Sequence, residues 1–197
     1  MSGLRVETLR APDARAAALP ALARLRIAVF REWPYLYDGA LDYEERYLAH
    51  FLTEPDAVLV IARDGDAIVG AATASPMAGQ EAALRAPFEA AGHDVARLFY
   101  FGESVLLPPY RGQGVGHAFF DQREAGARAA GAGAACFCGV IRPADHPLRP
   151  ASARDLGPFW RARGYAPLEG MIAHYDWKDI DQAEETRHPM QFWHRTL

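Results

Sequence analysis

The chain has 197 residues, half of them hydrophobic, and a formal net charge of -4. This length and composition predict one domain with a substantial core, and the acidic balance argues against a nucleic-acid partner, which would need a basic face. No apolar run approaches the length of a membrane span and residues 1–30 lack a signal-peptide pattern, so we expect a cytoplasmic protein without membrane contact.

The N-terminal segment predicts one strand and two helices. Leu4–Leu9 alternates between apolar and polar residues, which predicts a strand. A helix follows, with Pro20 in its first turn and a buried stripe that begins at Leu22. It stops at Trp33-Pro34, because the residue before a proline disfavours helix. Asp42-Tyr43-Glu44-Glu45 resembles a capping box and opens the second helix.

The middle of the chain predicts a hairpin and an insertion. Residues 57–62 and 67–74 read as two strands, and the Asp-Gly pair between them is a strong hairpin signal, so the strands should be antiparallel. An insertion over 75–97 contains a helical pattern at 80–91. We expect this insertion to form a wall over a binding site.

The remaining elements continue the alternation of strands and helices. They are a strand over 98–107, a helix over 115–130, a strand over 134–141, a helix over 155–163 that ends at Gly164, and strands over 171–177 and 190–194. Glu124 and Arg128 are four residues apart on a helix, which predicts an ion pair on its solvent side.

The junction between the strand over 98–107 and the helix over 115–130 predicts an anion site. Arg111-Gly112-Gln113-Gly114-Val115-Gly116 joins the two elements directly. The first N–H groups of a helix lack partners, and the helix dipole adds partial positive charge there. The glycines let the backbone approach a ligand and Arg111 adds a forked cation, so the expected ligand is a pyrophosphate.

Two common phosphate-binding motifs do not fit this junction. A Walker A loop needs a lysine after its glycines, and the dinucleotide fingerprint needs its third glycine one residue later than Gly116. Arg111-x-x-Gly114-x-Gly116 instead resembles the Gln/Arg-x-x-Gly-x-Gly/Ala motif of the GNAT superfamily of acyl-CoA-dependent N-acetyltransferases, and the preceding Val105–Tyr110 segment strengthens the resemblance. The alternative is a glycine-rich turn that serves packing alone.

The resemblance implies a fold, a domain and a cofactor. The fold is α/β, with a mixed, mostly antiparallel central sheet flanked by helices in the order β-α-α-β-β-β-α-β-α-β-β, forming a single N-acetyltransferase domain over residues 1–197. The strand before the loop should separate from its neighbour and offer backbone groups to the pantetheine of acetyl-CoA, with coenzyme A as the product. The implied cofactor contacts are Val105, Leu106, Leu107, Arg111, Gly112, Gln113, Gly114, Val115, Gly116 and Trp160.

Glu103 is the candidate catalytic base. Acyl transfer to an amine requires a neutral amine, and the family often places a glutamate just before the pantetheine-binding residues. Strand alternation puts Glu103 on the face of Phe101, Val105 and Leu107, so we expect apolar surroundings that favour proton uptake. The alternative is a glutamate ion-paired with an arginine such as Arg97. The resemblance also implies that backbone N–H groups near Val105–Leu107 polarise the thioester carbonyl.

The sequence departs from the family at the proton donor. Many members place a tyrosine four residues before the glycine that ends the helix over 155–163, but here that residue is Trp160, and Ala153 replaces a common asparagine. Either the thiolate leaves unassisted, which a thiol pKa of about 8.5 allows, or solvent or a residue such as Tyr165 donates, or the domain binds acyl-CoA without transfer. Trp160 is expected either along the pantetheine arm or in the core.

The loop after the first helix is the candidate acceptor site. Its substrate-binding candidates are Trp33, Tyr35, Tyr37 and Asp38, because aromatic rings and a carboxylate suit a small cation with an apolar portion. The alternative for each ring is packing onto the core. The seven histidines show no ligand spacing, so no metal site is expected.

These features predict an enzyme that transfers an acetyl group from acetyl-CoA to a primary amine by direct attack. The insertion and the aromatic loop favour a small-molecule acceptor. The alternatives are a non-catalytic acyl-CoA-binding sensor, a protein N-terminal or lysine acetyltransferase, and a nucleotide-binding protein. A homodimer is common among relatives, and the segment around Phe192 and Trp193 would form its interface or close the core of the monomer.

Overall fold

The computed structural model describes residues 3–51 and 54–197 and contains the mixed sheet that the sequence predicted. The strands are β1 (Arg5–Leu9), β2 (Val58–Asp64), β3 (Ala67–Pro76), β4 (Leu98–Leu106), β5 (Ala134–Val140), β6 (Ala166–Lys178) and β7 (Glu185–Thr196). The helices are α1 (Pro12–Phe30), α2 (Leu41–Phe51), α3 (Ala82–Ala90), α4 (Val115–Ala129) and α5 (Gly157–Ala162). The element order confirms the predicted order, with α3 added inside the insertion.

One sheet joins all seven strands in the order β1-β2-β3-β4-β5-β7-β6. Neighbouring strands are antiparallel except β4 and β5, which are parallel and pair only from Leu98↔Ala134 to Tyr100↔Cys136. Beyond these residues β4 continues to Leu106 and β5 to Val140, but the two strands no longer pair with each other. The two strands therefore separate and leave a gap bordered by backbone groups that have no sheet partner.

A β-bulge in β4 decides which side chains face each layer of helices. Phe101 pairs with Ala74 and Ser104 with Ala72, so the two residues between them on β4 lie opposite the single Thr73. The first of these is Gly102. A Cβ at this position would lie 2.5 Å from the Thr73 hydroxyl oxygen, so only glycine fits there. The second is Glu103, which the extra residue turns to the face opposite Phe101.

The bulge corrects the predicted surroundings of Glu103. Phe101 packs in the layer of α4, whereas Val105 packs in the layer of α1 with Leu22 and Leu25. Glu103 shares the α1 face with Val105, as predicted, but not with Phe101. Simple alternation was wrong here because one additional residue reverses the face of everything before it.

Two helix layers cover the sheet. The helices α1, α2 and α3 cover one face, and α4 and α5 cover the other. The buried apolar side chains form three clusters: one beneath α4 and α5, one beneath α1 and α2, and one beneath α3. The helix α1 starts at Pro12, so Pro20 lies in its interior and not in its first turn as predicted. The alanine-rich residues before Pro20 favour helix strongly enough to extend it towards the N-terminus.

Glu124 is buried, so the predicted ion pair with Arg128 is present but does not lie on the solvent side of α4. Its carboxylate accepts hydrogen bonds from Arg163 at 3.0 Å, from Arg195 at 3.0 Å and from the Tyr165 hydroxyl at 3.2 Å, while Arg128 is 3.9 Å away. The carboxylate is 5% exposed. Partners far along the chain bring it inside, which spacing within one helix cannot reveal.

The aromatic C-terminal segment closes the core of the monomer. Phe192 and Trp193 are 0% and 7% exposed. Homodimerisation stays a prediction, but these rings are already covered by their own chain. In the part of the chain that the structure describes, no helix is both long and apolar enough to span a membrane. The cytoplasmic location stays a prediction.

Candidate active site

The glycine loop at the start of α4 presents free backbone donors. Gly112 and Gly114 adopt left-handed conformations, with φ of 78° and 84°. The first helical hydrogen bond runs from Ala118 N–H to Gly114 C=O at 3.1 Å, and no side chain caps the helix. The N–H groups of Val115, Gly116 and His117 precede that bond, so the loop has the donor set that a phosphate needs.

Two side chains of the glycine loop form hydrogen bonds with neighbouring segments. The Arg111 guanidinium donates to the Leu106 carbonyl at 3.0 Å and to the Glu32 carboxylate at 2.8 Å. Gln113 donates to the Pro109 carbonyl at 3.0 Å. Both side chains are exposed and remain cofactor-contact predictions. Because the Arg111–Glu32 pair is exposed, it is weak, and a phosphate can replace the glutamate.

The end of β4 presents only alternate backbone groups to the gap. Leu107 N–H donates to the Val69 carbonyl on β3 at 3.0 Å, so it is not free to polarise a thioester. The Leu106 carbonyl points the other way and accepts from Arg111. Of the three predicted residues, Val105 to Leu107, strand alternation therefore gives the Leu106 N–H to the gap.

Trp160 packs on β5 beside the gap. Its ring lies 5.0 Å from the ring of Phe137 and 5.0 Å from that of Trp193. A Cβ on Gly139 would lie 2.9 Å from the indole, so glycine is needed there. The geometry shows the core contact that was one of the two expectations, and contact with pantetheine remains a prediction.

Glu103 lies in a buried ion cluster on the α1 side of the sheet. Its Oε2 accepts from Arg26 of α1 at 2.6 Å, and Arg26 also pairs with the fully buried Glu44 of α2. Glu103 is 7% exposed, and its Oε1 has no hydrogen-bond partner among the described residues. An ion pair thus replaces the predicted apolar surroundings, and the partner is Arg26 instead of Arg97.

In this cluster two carboxylates share one guanidinium. Sequence reasoning missed Arg26 and Glu44, which read as polar residues of two amphipathic helices. A signal existed, since Arg26 follows Leu22 by four residues and therefore lies near the buried stripe of α1.

A second arginine supports the bulge from the opposite face. Arg123 of α4 is 2% exposed, and its guanidinium stacks 4.5 Å from the ring centre of Phe101. It reaches the Glu103 carbonyl at 3.5 Å and the Thr73 carbonyl at 3.4 Å. Burial lowers the pKa of Arg123 to about 10. Its cation therefore lies directly beneath the backbone of Glu103.

Four tyrosines interact electrostatically with Glu103 or with one another, and we call this group the tyrosine cleft. They are Tyr35, Tyr47, Tyr100 and Tyr175. The charge of Glu103 acts on the hydroxyls of Tyr35 and Tyr47, and the Tyr47 hydroxyl acts on those of Tyr100 and Tyr175. Burial raises the pKa of all four, so they are neutral near pH 7.

The cleft opens on the point where β4 and β5 separate. Tyr100 is the last paired residue of β4, and its hydroxyl lies 3.1 Å from the Cys138 sulfur on β5. Glu81, in the insertion just before α3, acts electrostatically on Tyr175 at the rim. The predicted wall of the insertion over the binding site stays a prediction.

The predicted acceptor residues divide between the cleft and the surface. Tyr35 lines the cleft, and Tyr37 lies beside Glu44. Trp33 packs against His146 at 5.3 Å between ring centres. Asp38 pairs with Lys178 at 2.9 Å and Arg31 at 3.0 Å, and these hydrogen bonds, Lys178 first, hold its pKa below the usual value. Asp38 was predicted to bind the acceptor, but its carboxylate is already paired with two cations of the protein.

Arg142 fixes this loop to the rest of the site. Its guanidinium donates to the Pro34 carbonyl at 2.8 Å and the Tyr35 carbonyl at 2.6 Å. It also forms a bidentate pair with the buried Asp179, at 2.6 and 2.8 Å. Four contacts on one side chain thus set the position of Tyr35.

Tyr165 does not fit the role of proton donor. It is 2% exposed and packs in the α4 layer with Phe101 and Phe120, and its hydroxyl donates to Glu124. Its proton is therefore engaged away from the cleft. No group of histidine, cysteine and carboxylate side chains within 3–51 and 54–197 has a metal-binding arrangement.

Comparisons with solved structures show the fold. Ribosomal-protein-alanine N-acetyltransferase from Brucella melitensis aligns with a TM-score of 0.61 at 13% identity over 98% of this chain and 99% of that one. Aminoglycoside 6'-N-acetyltransferase, solved with coenzyme A, gives 0.58 at 14% identity over 98% and 96%. The Salmonella typhimurium protein yncA, solved with acetyl-CoA, gives 0.55 at 11% identity over 98% and 94%.

The sequence itself matches at the level of the family. None of the curated proteins matches this chain. A profile of the acetyltransferase (GNAT) family matches residues 23–157, from within α1 to the start of α5, and this range contains the glycine loop, the strand gap and Glu103. The chain belongs to the GNAT acetyltransferase family.

Proposed function

We propose that this chain is a single N-acetyltransferase domain, over residues 1–197, that transfers the acetyl group of acetyl-CoA to a primary amine of a small molecule. One observation carries the proposal: the gap between β4 and β5 leads from the free N–H groups of α4 to Glu103. A cofactor with a pyrophosphate at one end and a reactive thioester at the other fits such a channel.

The residues present fit acetyl-CoA, which supplies the activated acetyl group when bound. The N–H groups of Val115 and Gly116, together with Arg111, would hold the pyrophosphate. Backbone groups of β4 that lack a β5 partner would hold the pantetheine arm. The 14%-identical aminoglycoside acetyltransferase with its coenzyme A and yncA with its acetyl-CoA support this assignment by their shared fold.

Glu103 would accept the proton of the acceptor ammonium. Arg26 holds Oε2, which leaves Oε1 for the amine or for a water that relays its proton. The neutral amine then attacks the thioester carbon directly, without a covalent bond to the enzyme. As the carbon–sulfur bond breaks, the second proton of the nitrogen passes to solvent. The Leu106 N–H, which alternation directs into the gap, would donate to the carbonyl oxygen as negative charge develops on it.

The chain has no tyrosine at the usual donor position, and we propose that the thiolate leaves unassisted. Trp160 has no acidic proton and packs against Phe137 and Trp193. A free thiol has a pKa of about 8.5, so its departure as thiolate is feasible.

A non-catalytic acyl-CoA sensor is the second candidate, and Trp160 favours it. Such a protein would bind acetyl-CoA through the same loop and gap but acetylate no amine. Turnover separates the two candidates. A protein N-terminal or lysine acceptor would need an open groove, and the loop over residues 33–38, which Arg142 fixes at Pro34 and Tyr35, favours a small molecule instead.

The experiment is an acetylation assay with a panel of primary amines, in which the release of the coenzyme A thiol is measured. Glu103→Gln keeps the hydrogen bond to Arg26 but cannot take up the proton, so kcat should fall about 10²–10⁴-fold. Acetyl-CoA affinity should not change. The exposed Glu169→Gln is the matched control and should keep full activity. Equal kcat in Glu103→Gln and the parent would remove Glu103 from the mechanism.

A further inference from the structure

The charged residues around the tyrosine cleft are largely paired or screened. Glu44 and Glu103 share Arg26, and the buried Arg123 on the other side of the sheet also acts electrostatically on Glu103, so two cations face these two carboxylates. Asp38 in the bordering loop is already paired with Arg31 and Lys178. Glu81 at the rim is exposed, so solvent and salt screen its charge.

The walls of the cleft are aromatic. Tyr47 is 50% exposed and shows part of its ring to solvent. The Arg26 guanidinium lies 4.6 Å from the centre of that ring. Outside it, Tyr43 stacks on Tyr47 with 6.4 Å between centres and 13° between planes.

Two neighbouring tyrosines with exposed, nearly parallel faces are costly to leave in water. Tyr43 is 52% exposed, and Tyr175 at the opposite rim is 36% exposed. Exposed aromatic groups around a cleft are typical of a surface that receives a flat apolar ligand. Glu103 can take up the proton of one ammonium group, whereas a polycation would need several unpaired carboxylates, which the buried groups beside the cleft do not offer.

We propose that the acceptor is a monocationic primary amine with an aromatic body, whose ammonium reaches Glu103 while its ring lies against Tyr47 and Tyr43. This inference rests on the proposed function for its chemistry, because acetylation occurs at the amine that Glu103 deprotonates. The binding itself is a separate property of the cleft.

The first test compares acceptors. The probes are 2-phenylethylamine as the aromatic monocation, n-butylamine as a monocation without a ring, and spermidine and kanamycin as polycations. Stacking on the tyrosines predicts a kcat/KM for 2-phenylethylamine about tenfold above that for n-butylamine. Both polycations should be poorer acceptors than 2-phenylethylamine. A polycation as the best acceptor, or equal values for both monocations, would overturn the inference while leaving the acetyltransferase proposal intact.

The second test uses a matched pair of variants on α2. Tyr43→Ala removes the outer ring, and the preference for 2-phenylethylamine over n-butylamine should fall severalfold through a higher KM with little change in kcat. Leu41→Ala is the control, because Leu41 is 42% exposed but lies about 200° around the helix from Tyr43. Its preference should equal that of the parent. An unchanged preference in Tyr43→Ala would remove the stacking contact.

Direct binding separates the two proposals. Titration calorimetry should detect 2-phenylethylamine in the presence of coenzyme A, and Tyr43→Ala should weaken that binding. Binding without acetylation of any amine would sustain the acceptor class and contradict the proposed enzyme. If neither binding nor acetylation of 2-phenylethylamine occurs, the inference is wrong.

Discussion

Gly114 combines an unusual backbone conformation with a place at the expected phosphate site. Its φ of 84° is in the left-handed region, and a Cβ there would meet no atom within 4 Å. Gly114→Ala should therefore cost about 1–2 kcal/mol of backbone strain. It should also weaken acetyl-CoA binding by about tenfold or more, because the new methyl group disturbs the close approach of the pyrophosphate to the loop.

Gly131 offers a matched control for this prediction. It has a φ of 79°, also meets nothing within 4 Å, and lies after the C-terminus of α4, at the other end of the helix from the loop. Gly131→Ala should lose similar stability by thermal unfolding and keep full acetyl-CoA affinity by titration calorimetry. If both variants bind acetyl-CoA equally well, the loop does not hold the pyrophosphate.

His188 should make the stability of the fold depend on pH. It is 5% exposed, stacks on Trp177 with 3.8 Å between ring centres, and donates from Nε2 to the Trp177 carbonyl at 3.2 Å. Burial lowers its pKa, against the opposing effects of that carbonyl and Asp179. The unfolded chain therefore binds the proton more readily, and stability falls as pH drops below about 6.5.

The measurement is the free energy of unfolding at about pH 7.5 and about pH 5.5 in the parent and in His188→Gln. The parent should be less stable at the lower pH, and the variant should show a smaller loss. Burial also lowers the pKa of His194, which leaves a residual loss in the variant. A larger pH-dependence in His188→Gln than in the parent would contradict the assignment.

At the scale of elements, β4 shows what a sequence pattern can and cannot predict. Its position, its direction and the glycine loop after it followed from apolar alternation and from the motif. The bulge did not, because no residue type announces that Gly102 and Glu103 will share one partner. The predicted face of Glu103 was correct relative to Val105, which follows it, and wrong relative to Phe101, which precedes it.

The loop between α1 and α2 depends on Arg142, which gives a prediction for this element. Arg142→Gln leaves the buried Asp179 without its ion pair, which should cost about 3–5 kcal/mol. The loop that carries Tyr35 would lose two of its anchors, so KM for the amine should rise while acetyl-CoA affinity stays the same.

Stability and kinetics of Arg142→Gln can be compared with those of Arg142→Gln/Asp179→Asn. The double variant leaves no unpaired charge and should recover part of the stability by denaturant unfolding. Its amine KM should stay high, because the contacts to Pro34 and Tyr35 are still missing. An unchanged KM in both variants would show that Arg142 serves stability alone.

At the scale of the molecule, the sequence sufficed for the architecture and for the position of the glycine loop. Local patterns and one motif encode these features, because strands, helices and phosphate loops depend on neighbours in the chain. The acceptor half depends on contacts across long separations. Arg26 reaches Glu103 across 77 positions and Arg142 reaches Pro34 across 108, and a single sequence carries no signal for such pairs.

Thermal unfolding with acetyl-CoA, coenzyme A, ATP and NAD tests the central claim that the gap and the glycine loop hold an acyl-CoA. A ligand that binds only the folded state stabilises it, by about 2.7 kcal/mol at one hundred times its Kd. We expect acetyl-CoA and coenzyme A to raise the melting temperature, with Gly114→Ala reducing both shifts, and ATP and NAD to have little effect at the same concentration. No shift with acetyl-CoA or coenzyme A, or an equal shift with ATP or NAD, would contradict the account.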